Sequence, residues 1–348
     1  MRNSAQLGLG GFLIGLGLGW LLSQTFIISY NVFAWLVIIA GAGVIVSALI
    51  SWIRPRLSIG GLVGGLLIGL VLSILATSGM GFEERYRAEE IRTFDGAVAE
   101  NAVSFVVANR NGAVRVSTWD RSEYTVELTI RARGLTDIEA QSIIDGLDID
   151  LAEERVQNRL RLVLEYNIPT ETWRRLSIEV AANLPAEANI DLDLQSSNGG
   201  IYLSDVTGDT IKLQTSNGQL DLDRVYSKSI SGITSNGRID GEIEAESASL
   251  TSSNGEIELT IPGTISGSYS LDTSNGNIHL AVSPSDQVGY DLGLSTSNGD
   301  IDINLSDLEY TRDERTSKDA KTTGFSGRTV QITIEAETSN GSITLDNS

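Results

Sequence analysis

The sequence predicts a membrane module of α-helices followed by an all-β domain, a β-solenoid or β-helix-like stack of roughly 20-residue repeats. Three observations predict it. Residues 1–80 hold three long apolar runs and no Asp or Glu. The tripeptide Ser-Asn-Gly occurs seven times between residue 197 and the C-terminus. Each copy is followed by alternating apolar and polar residues, the period of a half-buried strand.

The membrane module comes first in the chain. Its apolar runs cover about 7–28, 32–53 and 59–79. Each is close to the 20 residues an α-helix needs to cross the hydrocarbon core, and none carries a charge. A cleaved signal peptide is the rival reading of the first run. It is opposed by an n-region with one Arg and by the two apolar runs that follow at once. Trp20, Trp35 and Trp52 suit the membrane interfaces. With three spans, Arg2, Arg54 and Arg56 collect on one side, which puts the N-terminus in the cytoplasm and the β-domain outside. Gly11, Gly15 and Gly19 lie four apart, as do Gly61, Gly65 and Gly69. Such rows let helix backbones approach closely, either among these three helices or in a homo-oligomer.

A linker over 81–95 then leads to the repetitive domain over 96–348. The repeat asparagines and glycines are Asn198-Gly199, Asn217-Gly218, Asn236-Gly237, Asn254-Gly255, Asn275-Gly276, Asn298-Gly299 and Asn340-Gly341. The asparagines are spaced 19, 19, 18, 21, 23 and 42 residues apart. The last spacing is twice 21, so one rung lacks the motif or carries an insertion. Two positions after each glycine stands Ile201, Leu220, Ile239, Ile257, Ile278, Ile301 or Ile343. Two residues before each asparagine stands a hydroxyl, from Ser196 and Thr215 to Thr338. Asn-Gly is a turn signal because both residues tolerate positive φ. Each repeat is therefore strand, turn, strand. A unit this short cannot bury a face alone, so the repeats stack, with isoleucine inside and columns of Ser/Thr and Asn along the axis. The fourteen Asn and Gly residues are accordingly structural.

Residues 96–190 form a diverged N-terminal part, and 191–348 hold the clear repeats. Strands are expected at Val103–Val107, Ala113–Ser117, Tyr124–Ile130, Arg159–Leu164 and Leu176–Ala181. One helix is expected over about Asp137–Leu147, with Thr136 as N-cap. Asn111-Gly112, followed by Val114 and Val116, has the form of a first rung.

Composition excludes several functions. Past residue 80 lie 22 of the 25 Lys and Arg and all 45 Asp and Glu, a net charge of −23. A surface this acidic repels nucleic acid and anionic lipid. The chain has no Cys and one His, His279, so thiolate sites, cysteine nucleophiles and multi-histidine zinc sites are excluded. No cofactor is implied.

The stretch from Asn111 to Asp120, the strands after it, Leu184-Pro185 and the repeated Asn-Gly-x-Ile together resemble a known family. It is the putative-adhesin β-strand-repeat domain of bacteria and archaea, also called Toastrack. The resemblance covers about residues 90–348. It implies an adhesion role. Such domains often follow membrane spans, sometimes in envelope-stress sensor proteins.

Chemistry has two places to reside. Between the two apolar residues after each motif stand Tyr202, Asp221, Asp240, Glu258, His279, Asp302 and Thr344. In register, Asp221, Asp240 and Glu258 form an outward carboxylate column. It is a solvated face or a site for a hard cation such as calcium. A pair of stacked carboxylates also has the spacing of a glycoside-cleaving site, which makes a polysaccharide-active enzyme the remote alternative. The second place is the polar segment 306–327, read as a mobile inserted loop that holds two of the chain's four lysines. Asn304 and Asn340 begin glycosylation sequons.

The functional expectation is a non-enzymatic, membrane-anchored surface protein. Its partners would be the membrane and a glycan, an envelope polymer or another envelope protein. The alternative is an envelope-stress sensing component that signals through its membrane helices.

Overall fold

The computed structural model describes residues 12–14, 66, 67, 70 and 87–348. The chain divides into two compact units, 1–85 and 86–348. The three expected spans and their glycine rows lie outside the described residues, save for six helical positions. Among the described residues, no helix is long and apolar enough to cross a membrane.

The second unit is built from 21 strands, one α-helix and two short 3-10 turns. The diverged part comprises β1 (Ala88–Ala97), β2 (Ala102–Ala108), β3 (Val114–Trp119), β4 (Glu123–Ala132), α1 (Asp137–Asp145), β5 (Asp148–Val156), β6 (Arg159–Asn167) and β7 (Leu176–Pro185). The repeats supply β8 (Asn189–Ser196), β9 (Ile201–Ser204), β10 (Thr207–Thr215), β11 (Leu220–Thr234), β12 (Ile239–Ser252), β13 (Ile257–Ile261), β14 (Gly267–Thr273) and β15 (Ile278–Val282). The C-terminal end holds β16 (Val288–Thr296), β17 (Ile301–Ile303), β18 (Leu308–Glu314), β19 (Ser317–Thr322), β20 (Val330–Thr338) and β21 (Ile343–Asn347).

The strands form two walls, joined by the Asn-Gly corners. The first wall runs β5–β6–β2–β8–β10–β11–β12–β14–β20–β16–β19–β18. The second runs β1–β4–β7–β3–β9–β11–β12–β13–β15–β21–β17. β11 and β12 are long enough to serve both. The inner strands pair in parallel, as successive turns of a coil must, and the antiparallel pairs lie at the two ends. Inside, side chains of like kind stack. The column Ile201, Leu220, Ile239, Ile257, Ile278, Ile343 and Ile301 is at most 3% exposed at any position. Burying one such side chain is worth about 1.5–3 kcal/mol, so the column alone is a large share of the fold's driving force.

Rungs do not follow one another in space as they do in sequence. β20–β21, the last rung of the chain, sits between β14–β15 and β16–β17. The same reversal occurs at the other end, where β2–β3 lies between β6–β7 and β8–β9. The 42-residue spacing therefore reflects an insertion rather than a missing motif. Each end is also closed by added elements. β5 covers β6, β4 and β1 cover β7, and β19 covers β16.

Two expectations are corrected. Segment 306–327 is not a loop: most of it is the β18–β19 hairpin. Every residue of β18 after Leu308 is exposed, so no apolar alternation betrays the strand, and backbone pairing with β19 makes it. Nor is all of 81–95 a linker, because β1 begins at Ala88. Its inner positions are only half-buried, at the sheet edge, which leaves its sequence polar. The helix forms over Asp137–Asp145. Thr136 caps it, its hydroxyl accepting from the Glu139 amide at 3.1 Å.

Candidate functional site: the asparagine corner and the carboxylate column

The Asn-Gly corner is built from two interlocked columns. In the first, each Ser or Thr hydroxyl performs two tasks. Thr234 Oγ1 accepts from the Gly237 amide at 3.1 Å, which closes its own turn. It also donates to the Gly218 carbonyl of the preceding rung at 2.9 Å. Thr215 and Ser252 repeat both bonds. These hydroxyls are buried, so each bond satisfies a backbone group that water cannot reach.

The second column is a ladder of asparagine amides. Asn217 Nδ2 donates to Asn198 Oδ1 at 2.8 Å, and Asn236 to Asn217 at 2.8 Å. Asn254, Asn275, Asn340 and Asn298 continue it at 2.9, 2.9, 2.9 and 3.0 Å. Asn198 donates to Asn111 Oδ1 at 2.6 Å, so Asn111-Gly112 is indeed a rung. Asn111 in turn donates to the Trp173 carbonyl at 2.6 Å. All bonds point the same way, from Asn298 toward the N-terminal end. Such a chain of amides polarises cooperatively.

The reason for glycine differs from the sequence expectation. Left-handed backbone is absent from the Asn and Gly of all seven motifs. Gly112 has φ +120°, but the motif glycines are needed for close approach instead. A Cβ on Gly237 would sit well inside 3.0 Å of the Gly218 carbonyl oxygen, and the other six meet the same obstacle. Rung spacing, not turn type, selects the residue.

The carboxylate column is in register. Asp221 pairs with Asp240, Asp240 with Glu258, and Glu258 with His279. Tyr202 precedes it, and Thr344 and Asp302 follow His279. A residue not singled out in the sequence modifies it. Arg238 Nε lies 3.5 Å from Asp240, and its Nη2 pairs with Glu258. Partial burial raises the Asp240 carboxyl above its ordinary range, and the neighbouring Asp221 and Glu258 charges add to this against the pull of Arg238. His279 turns to Asp346, 3.5 Å away. Among the described residues, no three acidic or histidine side chains gather as a metal ion would require. The stacking that the sequence implies is present, whereas the convergence a cation needs is not.

Sequence reasoning also missed Glu244. It is 1% exposed, and its carboxylate accepts from the Thr264 and Ile265 amides and from the Thr264 hydroxyl. It thus clamps the loop that joins β13 to β14. Of the two sequon asparagines, Asn340 is committed to the ladder and Asn304 donates to Asp346.

Two walls, a shared interior and an amide ladder define a β-solenoid repeat protein. The chain belongs to the Toastrack DUF4097 family, which matches residues 100–346. Solved structures that resemble it include a putative cell adhesion protein from Clostridium sporogenes ATCC 15579, at 10% identity over 74% of this chain and 100% of that one, with a TM-score of 0.37. A putative adhesin from Bacteroides fragilis NCTC 9343 shows 13% identity over 74% and 97%, at 0.32. A putative lipid binding protein from Parabacteroides distasonis ATCC 8503 shows 14% over 75% and 95%, at 0.33. No curated protein matches the chain.

Proposed function

We propose that this is a membrane-anchored, non-enzymatic surface protein that presents its β-solenoid outside the cytoplasmic membrane as an adhesin-like binding surface. The observation that carries the reading is the pairing of three uncharged apolar runs with a rigid domain whose repeated columns face solvent. Stacked parallel strands hold those outward side chains in a fixed array one strand spacing apart. That suits a repetitive partner such as a glycan or an envelope polymer. A net charge of −23 beyond residue 80 keeps the array soluble and disfavours anionic polymers unless cations intervene.

The test is topology. The chain has no Cys, so one introduced thiol reports alone. Ser326 is exposed, in the 3-10 turn Phe325–Gly327 that joins β19 to β20. Ser326→Cys in intact cells should react with a membrane-impermeant maleimide. Reaction only after lysis would put the solenoid in the cytoplasm and end the surface-protein reading.

A further inference from the structure

We infer that the tip of the β18–β19 hairpin is a substitute corner. Arg315 takes the place of the rung that would follow β16–β17, and so latches the C-terminal end of the solenoid.

Every inner corner offers its successor the same three groups. The first is the amide of the inner apolar residue. Ile201 donates to the Gln219 carbonyl at 2.9 Å, Leu220 to Arg238 at 2.9 Å, Ile239 to Glu256 at 2.9 Å and Ile343 to Asp300 at 3.0 Å. The acceptor is always the residue just before the inner apolar residue of the next rung in space. The second is the carbonyl of the motif glycine, which accepts from a Ser or Thr hydroxyl of that next rung. Gly199, Gly218, Gly237, Gly255, Gly276 and Gly341 are served in this way at 2.8–3.0 Å. The third is the asparagine side-chain carbonyl, which accepts from the next amide of the ladder.

The corner at Asn298-Gly299 has no rung beyond it, and β17 pairs with β21 alone. Two of its three groups are nevertheless filled, both by one residue. The Ile301 amide donates to the Arg315 carbonyl at 3.1 Å. Arg315 Nη1 donates to the Gly299 carbonyl at 2.8 Å, the position of the hydroxyl in the inner rungs. The same nitrogen reaches Asp300 Oδ1 at 2.8 Å, which keeps the guanidinium aimed at the corner. Beside it, the Thr316 carbonyl accepts from the Thr296 amide at 2.9 Å. Arg315 and Thr316 are the two turn residues between β18 and β19, so the hairpin carries its tip onto the corner. The ladder is the one column not continued, and it ends at Asn298.

The residue type follows from the task. A Ser or Thr hydroxyl lies close to its own backbone and serves only a strand in register. A guanidinium stands on a longer stem and carries five N–H donors, so it can serve a corner from an antiparallel turn and hold two acceptors at once. The need is general: a terminal rung frays, and its open groups form an edge to which another strand can add. The latch holds the three residues of β17 against β21 and keeps the outward array ordered to its last rung.

The test is hydrogen exchange of the full chain in detergent micelles. Mass spectrometry follows the peptide 293–303 and, as the inner control, 231–241. The Arg315 side chain is exposed, so its loss leaves the core intact. Arg315→Ala should speed exchange in 293–303 about tenfold and leave 231–241 unchanged. Asp300→Asn removes an exposed ion pair and keeps the bond to Gly299, so it should change the rate less than about threefold. Unchanged exchange in 293–303 of Arg315→Ala would overturn the latch. Faster exchange in both peptides would overturn it in favour of general loosening. An Asp300→Asn effect as large as that of Arg315→Ala would assign the closure to the ion pair and end the substitute-corner reading.

Discussion

The two ends of the solenoid face the same problem and solve it differently. Any stack of strands ends in unpaired edges that invite further pairing. The N-terminal end covers both walls, with β5 on one and β4 and β1 on the other, and adds α1. Its strand β4 buries Tyr124, Leu128 and Ile130 in the continuous core of the solenoid. The C-terminal end covers one wall only, with the thin β18–β19 hairpin. The other wall stops at β17, which is three residues long and flanked by Asp300 and Asn304. One end is protected by a core and the other by brevity and charge. The first should contribute to global stability, and the second mainly to keeping copies apart.

The largest test of that division is a pair of tyrosines. Tyr124 is 1% exposed, and its hydroxyl donates to Glu153 at 2.6 Å. Tyr124→Ala should cost about 3–5 kcal/mol in denaturant unfolding. Tyr310→Ala, in the hairpin, starts from a side chain 42% exposed and should stay within about 1 kcal/mol. Equal losses would break the comparison.

Ala320→Pro isolates the covering role of the hairpin. Ala320 is buried and central in β19, paired with both Leu292 and Tyr310. Proline there removes an amide donor from the ladder. The solenoid should keep its far-ultraviolet circular dichroism yet associate in sedimentation runs as the β16 edge is bared. A monodisperse variant would show that the hairpin protects nothing.

A smaller effect separates middle from end. Thr234 is 1% exposed and holds two backbone groups. Thr234→Val should cost about 2 kcal/mol. Thr296, near the C-terminal end and 8% exposed, donates only to Gly341. Thr296→Val should cost about 1 kcal/mol. A reversed order in thermal melts would mean that the corners tighten toward the end rather than loosen.

The smallest effect lies in the carboxylate column. Asp240 has a folded-state pKa above its unfolded value of 3.8. Its protonated form therefore favours folding, a contribution complete below pH 3.8 and lost as pH rises through the folded value. At pH 7 the charge is a burden. Asp240→Asn should stabilise by less than about 0.5 kcal/mol at pH 7 and by nothing at pH 3. A gain that persists in acid would point to a cause other than charge.

The middle of the molecule was far more legible in the sequence than its ends. Seven repeats place Ile201 through Ile343 inside and the asparagines in a column, because stacking copies one local rule along an axis. The rule says nothing about order. Nothing local distinguishes β20–β21, which slips inside β16–β17, from a rung added at the tip. The rung of β6 and β7 was hidden for another reason: the 3-10 turn Thr172–Arg175 replaces its Asn-Gly corner. Strands at the margins bury little, so β1 and β18 lack the alternation that marks the rest. At the candidate site the column was visible and its pairing with Arg238 was not, because Arg238 reaches Glu258, 20 residues away in the chain.

The amide ladder also sets how this protein ages. Asparagine followed by glycine is the pair most open to deamidation, since an unhindered glycine nitrogen attacks the side-chain carbonyl and expels ammonia. Here that nitrogen is held by a hydroxyl in the rungs of Gly199, Gly218, Gly237 and Gly255. The departing amino group is held by the asparagine of the preceding rung. The intact stack thus guards the bonds most prone to decay. Once one asparagine becomes aspartate, its carboxylate can accept but no longer donate, and it meets another oxygen where a hydrogen stood. Damage at one rung loosens the guard on its neighbours, so the molecule is durable while folded and spoils quickly once a corner opens.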